Sequence, residues 1–193
     1  MSKIFYLMGK SASGKDTIYK KLKDIFPELK TVVIYTTRPI RSNETEGVEY
    51  HFVDENRFCE LQKNGKVIEA RAYNSAHGIW RYFTVDDGQF DEDVDYIAIG
   101  TLESFVKLKE YFGEGRVIPI YIEVEDGLRL ERALTRERAM KEPKYKEMCR
   151  RFLADTEDFS VEKLKEAGIT HKFFNVDMEK CIDEIVLGIQ SKL

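Results

Sequence analysis

The chain has 193 residues, 42% of them hydrophobic and 34% charged, with a net charge of −4. That size and balance fit a soluble globular domain with a genuine core, and they exclude a disordered chain. The negative charge argues against nucleic acid as a bulk electrostatic partner, and no apolar stretch is long enough to cross a bilayer.

The predicted elements begin with Ile4 to Met8, an apolar run that reads as a buried strand. It ends at Gly9 and leads through Lys10, Ser11, Ala12, Ser13, Gly14 and Lys15 into an amphipathic helix. Ile18, Leu22, Ile25 and Phe26 mark the apolar face of that helix. Strand, glycine-bounded loop with a lysine, then helix is the layout of a phosphate-binding P-loop. Gly9 and Gly14 permit turns that turn successive N–H groups into one concavity, and the helix adds the positive end of its dipole. Lys15 then supplies a mobile cation to the outer phosphates. Asp16 stands where the pattern usually has a serine or threonine whose hydroxyl helps hold Mg²⁺. Either Asp16 is itself a metal ligand, or Thr17 takes over the hydroxyl role, or Asp16 only favours the helix N-terminus. Asp16 and Thr17 are therefore the candidate metal ligands.

Thr31 to Tyr35 is rich in β-branched residues and is predicted as a second strand. Residues 36 to 50 form a polar loop with Pro39 and Gly47, and Asp54 to Asn64 a short helix with Phe58 and Leu61 inward. Val67 to Tyr73 and Ile79 to Val85 are predicted strands of a small side sheet. Strand Tyr96 to Ile99, helix Leu102 to Phe112 and strand Val117 to Val124 follow, then an arginine-dense helix from Leu128 to Met140. A further helix runs from Tyr145 to Ala167, followed by strand His171 to Val176 and helix Met178 to Leu193. Strands alternating with helices imply βαβ units and a mainly parallel sheet covered on both faces, with ligands at the carboxyl ends of its strands. The N-terminus lacks a signal-peptide pattern. Cys59, Cys149 and Cys181 are far apart and odd in number, which suggests reduced thiols in a cytoplasmic setting. His51, His77 and His171 are equally scattered, which speaks against a zinc site.

A second constellation lies in the polar loop, where Arg38 and Arg41 precede Glu44, Gly47 and Tyr50. Two guanidinium forks and a phenol suit a dianionic phosphate, although arginines so spaced are often plain surface charge. The arginines from 129 to 151 fit a phosphate binder or a solvated face. By itself Glu69 fits an exposed strand position.

The order Thr36-Thr37-Arg38-Pro39-Ile40-Arg41 with Glu44, Gly47, Tyr50 and Phe52 resembles the GMP-binding segment of guanylate kinases. The resemblance implies an α/β fold: a P-loop core over 1–35, 89–134 and 152–193, with a mainly parallel β-sheet flanked by helices. A small mixed monophosphate-binding insert over 36–88 and a helical lid over 135–151 complete it. It implies transfer of the γ-phosphoryl group of ATP to GMP or dGMP with Mg²⁺. Arg38, Arg41 and Tyr50 then match the residues that hold the monophosphate, and Tyr82 and Thr84 those near phosphate and base. Glu69 matches the acid that reads guanine, whose N1–H and N2 amino donors one carboxylate can accept together. Arg132 and Arg136 match lid arginines, and Arg151 one that closes onto the phosphates. Asn175 falls where the family has an asparagine near adenine. Gly9 to Thr17, with Arg132 and Asn175, thus form the expected ATP side, and Lys15, Arg136 and Arg151 the catalytic set.

Four departures touch this match: Asp16 after the lysine, Ile34 for a serine, Ala98 and Gly100 for acidic residues, and the lid sequence Lys141 to Lys146. They leave the acceptor base and the metal ligation open. A non-catalytic binding module of the same type, and a kinase for another nucleoside monophosphate, are the alternatives. A GTPase switch is disfavoured, since neither N-K-x-D nor a following D-x-x-G is present. Small nucleotides are the expected partners, with no nucleic acid, no membrane and no defined oligomeric state.

Overall fold

The computed structural model describes residues 2–75 and 78–193, so His77 lies outside the described residues. In chain order the elements are β1 (Ile4–Met8), α1 (Lys15–Ile25), β2 (Lys30–Thr31), β3 (Tyr35–Thr36), β4 (His51–Phe52) and α2 (Glu55–Lys63). They continue with β5 (Val67–Ser75), β6 (Gly78–Val85), β7 (Tyr96–Gly100), α3 (Leu102–Phe112) and β8 (Val117–Glu123). The chain closes with α4 (Asp126–Arg138), α5 (Tyr145–Asp158), α6 (Val161–Glu166), β9 (Phe173–Phe174) and α7 (Met178–Gln190).

A five-stranded sheet takes the order β2-β7-β1-β8-β9, with β2–β7 and β8–β9 parallel. A four-stranded sheet takes the order β4-β3-β6-β5 and is mixed: β3 runs parallel to β4, and β6 antiparallel to both β3 and β5. This is the expected α/β architecture, a mainly parallel sheet with helices and a small mixed sheet. The chain divides into two compact units. One holds Leu29–Ala98 and Ser104–Val117 with the chain up to Ile4, and the other Phe5–Glu28, Ile99–Glu103 and Ile118–Leu193.

β1 reads as a continuous apolar run because both of its faces are covered. Ile4, Phe5, Leu7 and Met8 are fully buried and Tyr6 nearly so. Each such side chain contributes about 1.5–3 kcal/mol. In the other unit, Phe58 and Leu61 of α2 pack on Phe83 and Val85 of β6. The Phe58 and Phe83 rings meet edge to face at 4.8 Å. α2 starts where the Asp54 carboxylate accepts the Arg57 N–H at 2.8 Å, a cap worth about 1 kcal/mol.

Two predicted elements are corrected. Thr31 to Tyr35 is not one strand but the passage between two sheets. The N–H of Val32 still reaches the Ile97 carbonyl at 3.1 Å, but that of Val33 donates to the Gln89 side chain at 3.2 Å. The Ile34 carbonyl then accepts from His51 at 3.0 Å, so Tyr35 enters the second sheet. A β-branched run signals extended backbone without saying which ladder receives it. The predicted helix from Tyr145 to Ala167 is two helices. Ser160 has an extended backbone and its hydroxyl accepts the Lys163 N–H, so a new helix starts there. Smaller differences concern ends: the last strand shortens to Phe173–Phe174, and α7 stops at Gln190.

Candidate functional site

The phosphate-loop side is built from the end of β1 and the start of α1. A Cβ on Gly9 would lie 2.7 Å from the backbone carbonyl oxygen of Ile122, a contact that no side chain tolerates. Gly14 caps α1 with φ of 87°, and a Cβ there would meet the Asn175 amide at 2.4 Å. Both glycines of the predicted loop are therefore required by geometry. Ala12 adopts φ of 62° without being a glycine, a conformation that costs of order 1 kcal/mol and marks a loop whose shape is over-determined. Helix geometry leaves the N–H groups of Lys15 and Asp16 in the first turn of α1 without intrahelical acceptors.

Asn175 is fully buried and donates through its side-chain amide to the Ser13 carbonyl at 2.8 Å. Its own N–H is held by Glu123 at the end of β8, and its carbonyl accepts from Arg132 at 3.1 Å. The structure thus brings Asn175 and Arg132 together with the loop, where they support its backbone. Lys15 is one-fifth exposed, with its ammonium 3.7 Å from the exposed Asp16 carboxylate. Lys10 reaches Asp126 at 3.3 Å. Arg136 and Arg151 lie on exposed surface. Arg151 donates to Glu147 at 2.8 Å, and Arg150 binds the same carboxylate. These arginine hydrogen bonds hold Glu147 down at about 2.

The arginine side lies in the other unit. Arg38 is not a surface charge: its side chain is 3% exposed. Its two terminal nitrogens grip the Glu44 carboxylate at 2.7 and 2.9 Å, Nη1 also donates to the Pro39 carbonyl, and Nε to the Tyr82 hydroxyl. The guanidinium stacks on Tyr50 and Phe52, with ring centroids 5.3 and 5.5 Å away. The hydrogen bonds from Arg38 hold the Glu44 carboxyl below the usual carboxylate range. Burial pushes the Tyr50 phenol up. Arg41 is exposed, and its backbone N–H donates to Glu44 at 2.9 Å. Glu44 therefore ties both arginines of the loop together.

Glu69 is not the exposed strand residue that its sequence context alone suggests. Its side chain is fully buried and opposes Thr84 in the β5–β6 register. Thr84 donates to it at 2.7 Å, and Arg71, two residues along the same face, donates at 3.0 and 3.2 Å. Tyr82 stands opposite Arg71 and packs edge-on against Tyr50 and Tyr73. Arg38, Tyr50, Tyr82, Glu69 and Thr84 are thus gathered on one sheet and its flanking loop.

Sequence reasoning missed Arg71 and Arg129. The alternation of β5 puts Arg71 on the face of Glu69, which is a readable signal. Arg129 shares the buried stripe of α4 with Ala133, yet nothing local names its partner Asp155.

Parts of the sequence, and the fold, are similar to known proteins. Residues 1–79 match the family model described as guanylate kinase. Guanylate kinase of Frankia casuarinae is 46% identical over 63 residues, covering 33% of this chain and 34% of that protein. Guanylate kinase of Syntrophomonas wolfei is 32% identical over 119 residues, covering 61% and 60%. The aligned stretch spans only about a third of the length of the first of these relatives. The crystal structure of guanylate kinase from Anaplasma phagocytophilum superposes with a TM-score of 0.65 at 22% identity, over 99% of this chain and 86% of that one. It shows the shared fold.

Proposed function

We propose that this chain, a relative of guanylate kinases in sequence and alike in fold, transfers the γ-phosphoryl group of ATP to GMP or dGMP. One observation carries the reading: the family match runs over residues 1–79, and so takes in the phosphate loop, Arg38, Arg41, Tyr50 and Glu69 together. A protein that needed only one nucleotide would have no use for both sets.

On the ATP side, the amides at the start of α1 and the Lys15 ammonium hold the phosphates, with Asn175 and Arg132 fixing the loop beneath them. On the GMP side, Arg41 and the Tyr50 and Tyr82 hydroxyls meet the monophosphate, and Arg38 orders the loop that presents them. Glu69 accepts the N1–H and N2 donors of guanine. Glu69 already accepts two bonds from Arg71 and one from Thr84, which leaves about one of a carboxylate's four acceptor directions, so taking both guanine donors requires the Thr84 hydroxyl to turn away. The acceptor is already an anionic oxygen, so no general base is needed. Positioning and electrostatics supply the acceleration. Residues 135–151 act as the lid, and Arg136 and Arg151 close onto the transferring group and exclude water, Arg151 leaving Glu147 to do so.

The donors available for Mg²⁺ are sparse. Asp16 and Thr17 are both exposed, and among the described residues no group of three acidic, histidine or cysteine side chains gathers that could hold a metal. That set fits an ion that arrives with ATP and keeps its phosphate and water ligands, with Asp16 or Thr17 as outer support. Such an ion would neutralise charge on the β- and γ-phosphates. A cytoplasmic setting, where both nucleotides are supplied, suits the activity.

The test is a coupled assay of ADP formation against GMP, dGMP, AMP, CMP and UMP. GMP and dGMP should be turned over at least tenfold faster, by kcat/KM, than the rest, because Glu69 opposes an acceptor at N1 of adenine. Turnover of none of them, with ATP·Mg²⁺ unbound in calorimetry, would assign the chain to a binding module instead.

A further inference from the structure

We propose that Arg129 and Asp155 are positioning residues that clamp the phosphate loop at Ser11 and set its ATP affinity. The proposal rests on the reading that this loop holds ATP phosphates. Arg129 is the largest fully buried side chain among the described residues, and a buried cation of that size demands an explanation.

Its environment supplies one. The Asp155 carboxylate accepts the Ser11 N–H at 2.8 Å, and Arg129 Nε donates to the Ser11 carbonyl at 3.0 Å. Arg129 Nη2 closes the ring by donating to the same Asp155 oxygen at 3.0 Å. Both backbone polar groups of one loop residue are thus held by a single ion pair, one partner from α4 and the other from α5. Arg129 Nη1 also binds Asp126, which in turn accepts from Lys10 at 3.3 Å. The guanidinium lies over the Phe152 ring at 4.7 Å. Lys10 and Ser11 are thereby fixed to α4 and α5 just before Ala12.

Ala12 is the residue that needs this. Its left-handed backbone is held only if the surroundings leave no alternative. With Ser11 pinned on both sides, the turn at Ala12 is formed before any ligand arrives. The N–H groups that follow are then presented without an ordering cost at the moment of binding. Cutting the clamp lets the loop relax, and ATP must then pay to rebuild it.

Two variants test this: Arg129→Met with Asp155→Leu, which removes both charges together, and Asp155→Asn, which keeps an acceptor for Ser11. Removing both partners avoids stranding one buried charge, the usual cause of collapse. The double variant should keep cooperative unfolding, raise KM for ATP roughly tenfold and leave KM for GMP within about twofold. Its Ser11 amide should lose protection from hydrogen exchange, and Asp155→Asn should fall between it and the parent. A stable variant with both KM values unchanged, or with kcat alone reduced in step with its folded fraction, overturns the proposal. If the double variant does not fold, Asp155→Asn decides by the same criteria. Binding of inorganic tripolyphosphate is measured alongside. If the parent binds tripolyphosphate and the variants lose it, the clamp stands even where no monophosphate is phosphorylated. A parent that binds neither tripolyphosphate nor ATP·Mg²⁺ ends both ideas.

Discussion

Lys15→Ala should lower kcat for GMP by roughly 10²–10³-fold while leaving KM for GMP within about twofold. Lys15 opens α1, and its ammonium is only partly exposed at the mouth of the loop. The backbone amides around it are fixed in place, so under the proposed activity they would serve ATP and the transition state alike. A flexible cation can follow the charge as it moves outward, and only an interaction stronger in the transition state raises turnover. Lys15→Arg should not restore the rate, because a planar fork replaces a compact point charge. Stability should barely change, within about 0.5 kcal/mol, since Lys15 makes no buried pair. Steady-state ADP release with a melting curve for each variant checks this. A loss under fivefold would remove Lys15 from the chemistry.

Arg38→Ala is expected to act on the other nucleotide and on the fold together. The Arg38–Glu44 pair is almost fully buried, with side-chain exposures of 3% and 9%. Removing one member of such a pair costs about 3–5 kcal/mol, because the other is left charged without its partner. Here the orphan would be Glu44, which also holds the Arg41 backbone. The loop that carries Arg41 loses its anchor, Tyr50 and Phe52 lose the cation that both rings contact, and KM for GMP should rise about 100-fold. KM for ATP should stay within about twofold, since that side shares none of these contacts. Arg38→Met with Glu44→Met should recover stability without recovering GMP affinity.

Acid supplies a second arm of the same experiment. Glu44 is held below its ordinary value of 4.5 by the Arg38 hydrogen bonds. A carboxyl lowered in the folded state adds stability that is fully present above its unfolded value and lost as pH falls through the folded one. The stability gap between the parent and Glu44→Gln should therefore be widest near neutrality and shrink as pH drops below 4.5. Urea unfolding across that range, with both arginine variants in parallel, measures it. A gap that stays constant with pH would show that the pair is not the source.

What the sequence disclosed and what it withheld divide along a physical line. β1, the glycine-bounded loop and α1 were legible because their signals are local: an apolar run, two glycines and a helical stripe over adjacent residues. Two of the four strands of the mixed sheet, β5 and β6, were legible in residues 67–85, but the two-residue strands β3 and β4 are too short to leave a local signal. Val32 to Ile34 misled because β-branched residues report extended backbone and not the identity of the neighbouring strand. Ser160 went unread as a cap inside a stretch that is helical on both sides. The ion pairs were the hardest. Arg38 with Glu44 and Arg71 with Glu69 are close in sequence, yet nothing local says that they are buried. Arg129 and Asp155 are 26 residues apart, and only the packing of α4 on α5 makes them partners.

One chain is expected to bind an adenosine triphosphate and a guanosine monophosphate at the same time and to pass a phosphoryl group directly between them. The most direct measurement is calorimetry with adenosine and guanosine joined through five phosphates, compared with ATP and GMP alone. Direct transfer expects one molecule bound per chain, at least 100-fold more tightly than ATP, with neither free nucleotide able to bind beside it. An affinity no better than that of ATP, with GMP still binding to the loaded protein, would contradict it.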